Sequence, residues 1–210
     1  MKVLVVGGGG REHAMAWRIA RSPRVQCVYV APGNGGTAAD PDLIDLAIDP
    51  VKQQAELADF VVREGVAWTI VGPEAPLAAG LVDFFQARGL KIFGPTRAAA
   101  QLEASKDFAK QFMKRHNIPT AAFETFSDAA QARAYATAQA ARQPGLPIVV
   151  KADGLAAGKG VTVADSVAEC RAAIEAVFAG RFGGNVAEAG PRLVLEERTH
   201  GPEVSVFALT

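Results

Sequence analysis

The chain has 210 residues, 50% of them hydrophobic, and its 22 Lys and Arg are matched by 22 Asp and Glu. That length gives one large domain or two small ones with real cores, and the charge balance excludes the global basic field that gathers nucleic acid or an anionic membrane. Cys27 and Cys170 lie far apart and belong to no C-x-x-C pair, which argues against a zinc site or disulfide framework and for a reducing compartment.

The chain opens on a strand-like Lys2 to Val6 instead of a charged region followed by a long apolar one, and no apolar run reaches membrane-spanning length. A soluble, cytoplasmic protein is expected. Strands are predicted at Lys2 to Val6, Gln26 to Val30, Ala67 to Val71 and Lys91 to Phe93, with helical patterns between them, so a parallel sheet follows. The helix after Asp49 and Pro50 is expected to turn Val51, Ala55, Ala58 and Val62 to the sheet and Lys52, Gln53 and Glu56 to water. Open parallel sheets bind ligands outside the carboxyl ends of their strands, which selects the loops 7–11, 31–37, 72–76 and 94–96.

The first of these loops, Gly7-Gly-Gly-Gly-Arg-Glu-His13, fails as a dinucleotide fingerprint. G-x-G-x-x-G from Gly7 needs glycine at 12, where Glu12 stands, and the second strand ends in Ala31-Pro-Gly-Asn34 with no acidic residue for a ribose hydroxyl. What remains is a glycine turn feeding a helix N-terminus, where amide groups and the dipole favour a phosphate or carboxylate. Tight strand-to-helix packing explains the same glycines equally well. His13, one turn into that helix, can titrate near neutrality, but packing is the plainer use for it.

Thr96 and Ser105 are helix caps, giving a helical connector through about His116 before Ile118-Pro119 stops it. Next come a strand at Thr120 to Phe126, a helix from Ser127, a strand at Leu146 to Val150, the loop Lys151-Ala-Asp-Gly-Leu-Ala-Ala-Gly-Lys-Gly160, a strand at Val161 to Val163 and a helix from Ser166 with a capping-box spacing to Glu169. A polar turn region at 181–190 and strands at Arg192 to Glu197 and Glu203 to Leu209 complete the pattern. The loop holding Gly154, Gly158 and Gly160 between two lysines is suited to polyphosphate, because glycine lets backbone amides approach an anion. It is not a Walker A loop: three residues separate Gly154 from Gly158, and Gly160 takes the place of the hydroxyl. On the residues alone Lys106 and Lys159 read more readily as solvated surface lysines, whereas Lys151 ends an apolar strand and is harder to dismiss.

Several segments together resemble one family: Gly-Gly-Arg-Glu-His at 9–13, Ala-Pro-Gly-Asn at 31–34, Val-Gly-Pro-Glu-Ala-Pro-Leu at 71–77, Ile-Phe-Gly-Pro-Thr at 92–96, Leu-Glu-Ala-Ser-Lys at 102–106, Asn-Ile-Pro-Thr at 117–120 and the loop at 151–160. By their order and spacing the chain resembles the glycinamide ribonucleotide synthetases, the phosphoribosylamine-glycine ligases of the ATP-grasp superfamily. The resemblance implies an α/β chain: a Rossmann-like, pre-ATP-grasp domain at 1–103, a helical connector at 104–120, a small α+β ATP-grasp lid at 121–190 and the start of the larger ATP-grasp subdomain at 191–210. It implies ATP-dependent joining of glycine to 5-phosphoribosylamine through glycyl phosphate, with Mg or Mn as cofactor and no nucleic-acid or membrane partner. Lys106, Lys151, Gly158, Lys159, Gly160, Glu196, Glu197 and Glu203 would bind ATP, and Lys151, Asp153 and Lys159 would serve catalysis. Gly9, Gly10, Arg11, Glu12, Asn34, Gly35, Thr37, Pro73 and Glu74 would bind phosphoribosylamine. Members of the family continue about as far again beyond Thr210, where their metal-binding carboxylates lie, so metal ligands are expected there and the isolated chain is expected to be inactive. A non-catalytic nucleotide-binding module, another ATP-grasp ligase and, least well supported, a dinucleotide oxidoreductase are the alternatives.

Overall fold

The computed structural model describes residues 1–142, 148–156, 159–182 and 190–206. The chain divides into two compact units, Met1–Ala104 and Ser105–Thr210.

Unit 1 runs β1 (Lys2–Gly7), α1 (Gly10–Ala20), β2 (Cys27–Pro32), α2 (Gly35–Ala39), β3 (Leu43–Asp45), α3 (Gln54–Glu64), β4 (Val66–Val71), α4 (Glu74–Ala78), α5 (Leu81–Gln86), β5 (Ile92–Phe93) and α6 (Arg97–Ala104). Its sheet is parallel in the order β3-β2-β1-β4-β5. Strand alternation divides the core in two. Leu4, Val6, Tyr29 and Ala31 pack with Leu57, Phe60, Leu81 and Phe85 of α3 and α5, whereas Val5, Val28 and Val30 pack with Ala16 of α1. The predicted strands form, with ends shifted by a residue or two, and β3 is an addition, only three residues long.

The predicted face of α3 is wrong. Asp49 Oδ1 accepts from the amides of Val51 at 2.8 Å and Lys52 at 3.2 Å, which makes a turn there, so the helix begins at Gln54. Leu57, Ala58, Phe60 and Val61 are buried, while Val51 is 41% and Val62 66% exposed and Ala55 is exposed too. The i, i+3, i+4 row of the largest apolar side chains buries more area than the alanine-rich row, and it sets the phase.

Unit 2 begins with α7 (Lys106–Arg115), followed by β6 (Phe123–Phe126), α8 (Ala129–Arg142), β7 (Ile148–Ala152), β8 (Val161–Ala164), α9 (Val167–Phe178) and β9 (Leu193–Glu197). Ser105 caps α7 by accepting from Phe108 N at 3.1 Å. The helix closes at Asn117, φ +54, beyond which Ile118 N donates to Met113 O at 2.9 Å. The strands form an antiparallel sheet in the order β6-β9-β7-β8. Val150, Ala152, Leu193 and Leu195 point into a core with Ala132 and Ala136 of α8 and Ile174 and Val177 of α9. By the period of two, Val149, Lys151, Val194, Glu196, Val161 and Val163 share the other face, since Lys151 pairs with Val194 and Val161, and Val149 with Glu196 and Val163.

One expected strand is missing from the described residues. Glu203 to Val206 is exposed and unpaired in the ladders, and positions 207–209 of that expectation lie outside the described residues. So do residues 146 and 147 of the strand expected at Leu146 to Val150, residues 183–189 of the turn region, and Gly158.

Candidate functional site

Each unit carries one candidate site. In unit 1 the strand order reverses between β1 and β4, and the crevice outside a parallel sheet opens at such a point. Glu12 fills the gap between these two strand ends. A Cβ on Gly7 would lie 2.3 Å from Glu12 Cγ and 2.9 Å from Pro73, and one on Gly72 would lie 2.4 Å from Glu12 Cγ. Gly7 also holds φ +137, so glycine is required there twice over.

Glu12 is only 2% exposed; its Oε2 accepts from Gly9 N at 2.7 Å, and its Oε1 lies 3.5 Å from Arg11 Nε. The position that breaks the dinucleotide fingerprint therefore has a job of its own. Through Oε2 its carboxylate ties the first turn of α1 to the preceding glycine turn. Thr37, fully buried, is likewise internal: its hydroxyl accepts from Asn34 N at 2.7 Å and reaches Asp45 Oδ2 at 2.9 Å. Asn34 caps α2 by accepting from Gly36 N and Thr37 N, and its Nδ2 donates to Gly8 O at 3.1 Å, which binds the ends of β1 and β2 together. Arg11 reaches Glu74 at 3.3 Å, joining the ends of β1 and β4. Thus the strand-end residues named from the sequence converge, with Gly9, Gly10, Gly35, Arg11, Pro73 and Glu74 at or near the surface and Glu12 and Thr37 beneath. Beside them an open groove of about 670 Å³ is lined by Gly10, His13, Trp17, Gly36 and Asp40 among others. His13 packs against Gly36, where an added Cβ would come within 2.8 Å of the ring, and lies 3.9 Å from Asp40.

In unit 2 the site lies on the sheet face opposite the core. Glu196, 8% exposed, pairs through Oε1 with Lys151 Nζ, and its Oε2 lies 2.6 Å from Lys110 Nζ. Lys110 also donates to Thr120 Oγ1 at 2.7 Å. Val161 and Val163, on the same face, are 46% and 45% exposed and leave an apolar surface beside Lys151.

The glycine and lysine loop is the connection of the β7–β8 hairpin, and its base is pinned. Gly160 O accepts from Ala152 N at 2.7 Å, and a Cβ on Gly160 would stand 2.7 Å from that of Ala156. Lys159 is exposed, with its amide donating to Ala156 O at 2.9 Å.

Asp153, named above among the catalytic groups, is hydrogen-bonded to the start of α7. It accepts from Ser105 Oγ at 3.1 Å, Lys106 N at 2.7 Å and Asp107 N at 3.2 Å, so it is the anion at the N-terminus of α7. Lys106 Nζ donates to Gly154 O at 2.9 Å.

Asp107 binds Arg192 at 2.8 Å and accepts from Thr125 Oγ1 at 2.8 Å and Gln111 at 3.3 Å. Burial opposes its ionisation, but these donors outweigh it and hold the carboxyl below the usual carboxylate range. Glu197 alternates to the sheet face opposite Glu196, so the two side chains cannot act together, although Glu197 N is engaged by Ala122 O at 2.9 Å. Glu203 is exposed beyond β9, away from this network.

Sequence reading missed Lys110, Asp107 and Arg192. The signal for Lys110 was its place one turn after Lys106, which puts both on the same side of α7. Among the described residues no group of three or more His, Cys, Asp or Glu is placed to hold a metal ion. Nor is any described helix long and apolar enough to cross a membrane.

Residues 1–103 match the phosphoribosylglycinamide synthetase N domain, and residues 104–210 match that family's ATP-grasp (A) domain. Over 209 residues the chain is 59% identical to phosphoribosylamine–glycine ligase of Ralstonia nicotianae, covering 100% of this chain and 47% of that protein. It is similar in structure to phosphoribosylamine–glycine ligase of Thermotoga maritima, with a TM-score of 0.69 and 28% identity, over 96% of this chain and 45% of that one. The biotin carboxylase domain of 2-oxoglutarate carboxylase from Hydrogenobacter thermophilus, in complex with MgADP, ADP and bicarbonate, shares the fold at a TM-score of 0.63 and 18% identity, over 93% of this chain and 43% of that one. The chain spans about half the length of the curated relatives it matches.

Proposed function

The chain belongs to the phosphoribosylglycinamide synthetase family, and on that premise we propose that it carries the nucleotide-phosphate and sugar-phosphate sites of an ATP-dependent ligase. The reaction is the joining of glycine to 5-phosphoribosylamine, giving glycinamide ribonucleotide, ADP and phosphate in purine biosynthesis in the cytoplasm. A carboxylate is a poor acyl donor. Transfer of the γ-phosphoryl group to glycine replaces an oxide-like leaving group with phosphate, and the ribosylamine nitrogen then displaces it. Such chemistry needs positioning and neutralisation of charge more than a protein nucleophile.

The observation that carries this reading is the cationic sheet face of unit 2: Lys151 beside a glycine and lysine hairpin, with Val161 and Val163 exposed next to it. Here Lys151 and Lys106 meet the phosphates, the backbone of Gly158 to Gly160 closes over them with Lys159, and the two valines lie under the base. Two unit charges 4 Å apart interact by about 1 kcal/mol in water and about 4 kcal/mol at an effective dielectric near 20, so closure of the loop strengthens each contact. Glu196 and Glu197 contribute backbone groups to the base edge, and Glu203 is the candidate for the ribose hydroxyls. Asp153 acts by holding the hairpin base to α7. Mg²⁺ bound with ATP would supply further neutralisation of the triphosphate. In unit 1 the glycine turn 7–10 and the first turn of α1 accept the sugar phosphate, with Asn34, Gly35, Pro73 and Glu74 around it and Glu12 and Thr37 supporting the loops from beneath.

The test is ADP release by the protein at the full length of its relatives, with MgATP, glycine and phosphoribosylamine generated in situ. Turnover that requires glycine, and that Lys151→Met lowers by at least about 100-fold, supports the reading. ATP binding without turnover would point to a nucleotide-binding module, and turnover with a different amino acid to another ligase.

A further inference from the structure

Lys110 is placed unlike an ordinary helix lysine. Its side chain is 12% exposed, and its ammonium sits between Glu196 Oε2 at 2.6 Å and Thr120 Oγ1 at 2.7 Å, 5.5 Å from the Phe123 ring. Lysines are almost never this buried without a partner that demands it. Here the partner is a carboxylate that Lys151 already holds by its other oxygen.

Counting charge makes the consequence plain. Lys151 and Glu196 alone would be a closed, neutral pair, and a phosphate arriving at Lys151 would compete with an unshared carboxylate for the ammonium. With Lys110 on the second oxygen the cluster has two cations and one anion. It keeps a net positive charge, and Glu196 keeps a cation beside its Oε2 even when Lys151 turns part of its hydrogen-bonding capacity to another anion. A lysine ammonium has three donors, enough for a carboxylate and a phosphate at once.

We infer that Lys110 is a positioning residue of the nucleotide site: it holds Glu196 by the second oxygen and leaves Lys151 with charge to spare for a phosphate. The inference rests on the reading that Lys151 meets nucleotide phosphate. Lys110 touches no phosphate itself; it acts through Glu196.

Calorimetric titration of the purified protein with the Mg²⁺ complex of a non-hydrolysable ATP analogue, and separately with adenosine, tests this. Lys110→Met is expected to weaken binding of the analogue by about tenfold and to leave adenosine binding within about twofold, because only the phosphates sense the lost charge. Lys110→Arg, which keeps the cation, should recover most of the analogue's affinity. Lys114→Met, an exposed lysine on the same helix, should change neither. If Lys110→Met does not fold, Lys110→Gln, which keeps a donor for Thr120 without the charge, takes its place with the same expectation.

Unchanged affinity for the analogue would overturn the inference while leaving the ATP reading intact. An equal loss for analogue and adenosine would overturn it too, by showing a merely structural role. A wild-type protein that binds no nucleotide would remove the reading and the inference together.

Discussion

Each unit buries one glutamate at its candidate site, and the two are used in opposite ways. Glu12 is 2% exposed and spends its carboxylate on a backbone amide in the preceding turn; Glu196 is 8% exposed and spends it on two ammonium groups brought from β7 and α7. The first carboxylate shapes backbone, so the site above it is built from main-chain groups and glycines. The second gathers cations, so its site is built from side-chain charge. Burial of an acid therefore says little about function until its donors are named.

The comparison breaks first if the backbone site tolerates a side chain. Gly72→Ala places a Cβ against Glu12 Cγ and should cost unit 1 about 3 kcal/mol in chemical denaturation. Adding Glu12→Ala to the same chain should return at least about 1 kcal/mol, and additive losses would show that the contact is not what matters. In unit 2, Glu196→Ala leaves two lysines facing each other and should cost about 2 kcal/mol. That is less than for a fully buried pair, because the Lys151 side chain is 26% exposed and can turn to water. Asp153→Asn, measured the same way, should cost about 1 kcal/mol, the usual value of a helix cap, and should leave unit 1 untouched.

A smaller effect sharpens the contrast through pH. Asp107 has its carboxyl held below the usual range in the folded chain, so its contribution is present above the ordinary aspartate range and lost as pH falls through the lowered folded value. Thermal melts of wild type and Asp107→Asn should therefore differ at neutral pH and converge under strong acid. Cys170, whose thiol burial pushes up to about 11, should resist alkylation at pH 8 until the chain unfolds; rapid labelling of the folded protein would mean that the core between β7, β9 and α9 is open.

Much of this was legible in the order of residues, wherever a feature is local. The apolar run of Val3 to Val6, the cap at Ser105, the Ser166 helix start and the strand-flanked loop after Lys151 all rest on a few neighbouring positions, and all form. The strand that was not expected, Leu43–Asp45, offers one buried apolar residue and no periodicity to read. The phase of α3 went astray because the Asp49 turn delays the helix start, and because two rows of apolar residues competed for the same sheet.

The site followed the same rule. Its glycines and lysines were recognisable as types, but their partners were not: Arg192 meets Asp107 across 85 positions, and Lys110 meets Glu196 only once β9 has paired between β6 and β7. The inward turn of Glu12 and the capping duty of Asp153 likewise depend on what the fold brings opposite them.

The anchoring at Asp153 sets a spacing. Its carboxylate grips the amides of Lys106 and Asp107, while two residues earlier Lys151 sits in the ladder of β7, so the two lysines are tied to one frame through a three-residue span. The interval between these ammonium-bearing residues is gauged by the sheet and the helix end, and on the proposed function a triphosphate would meet a ruler rather than a pair of loose arms.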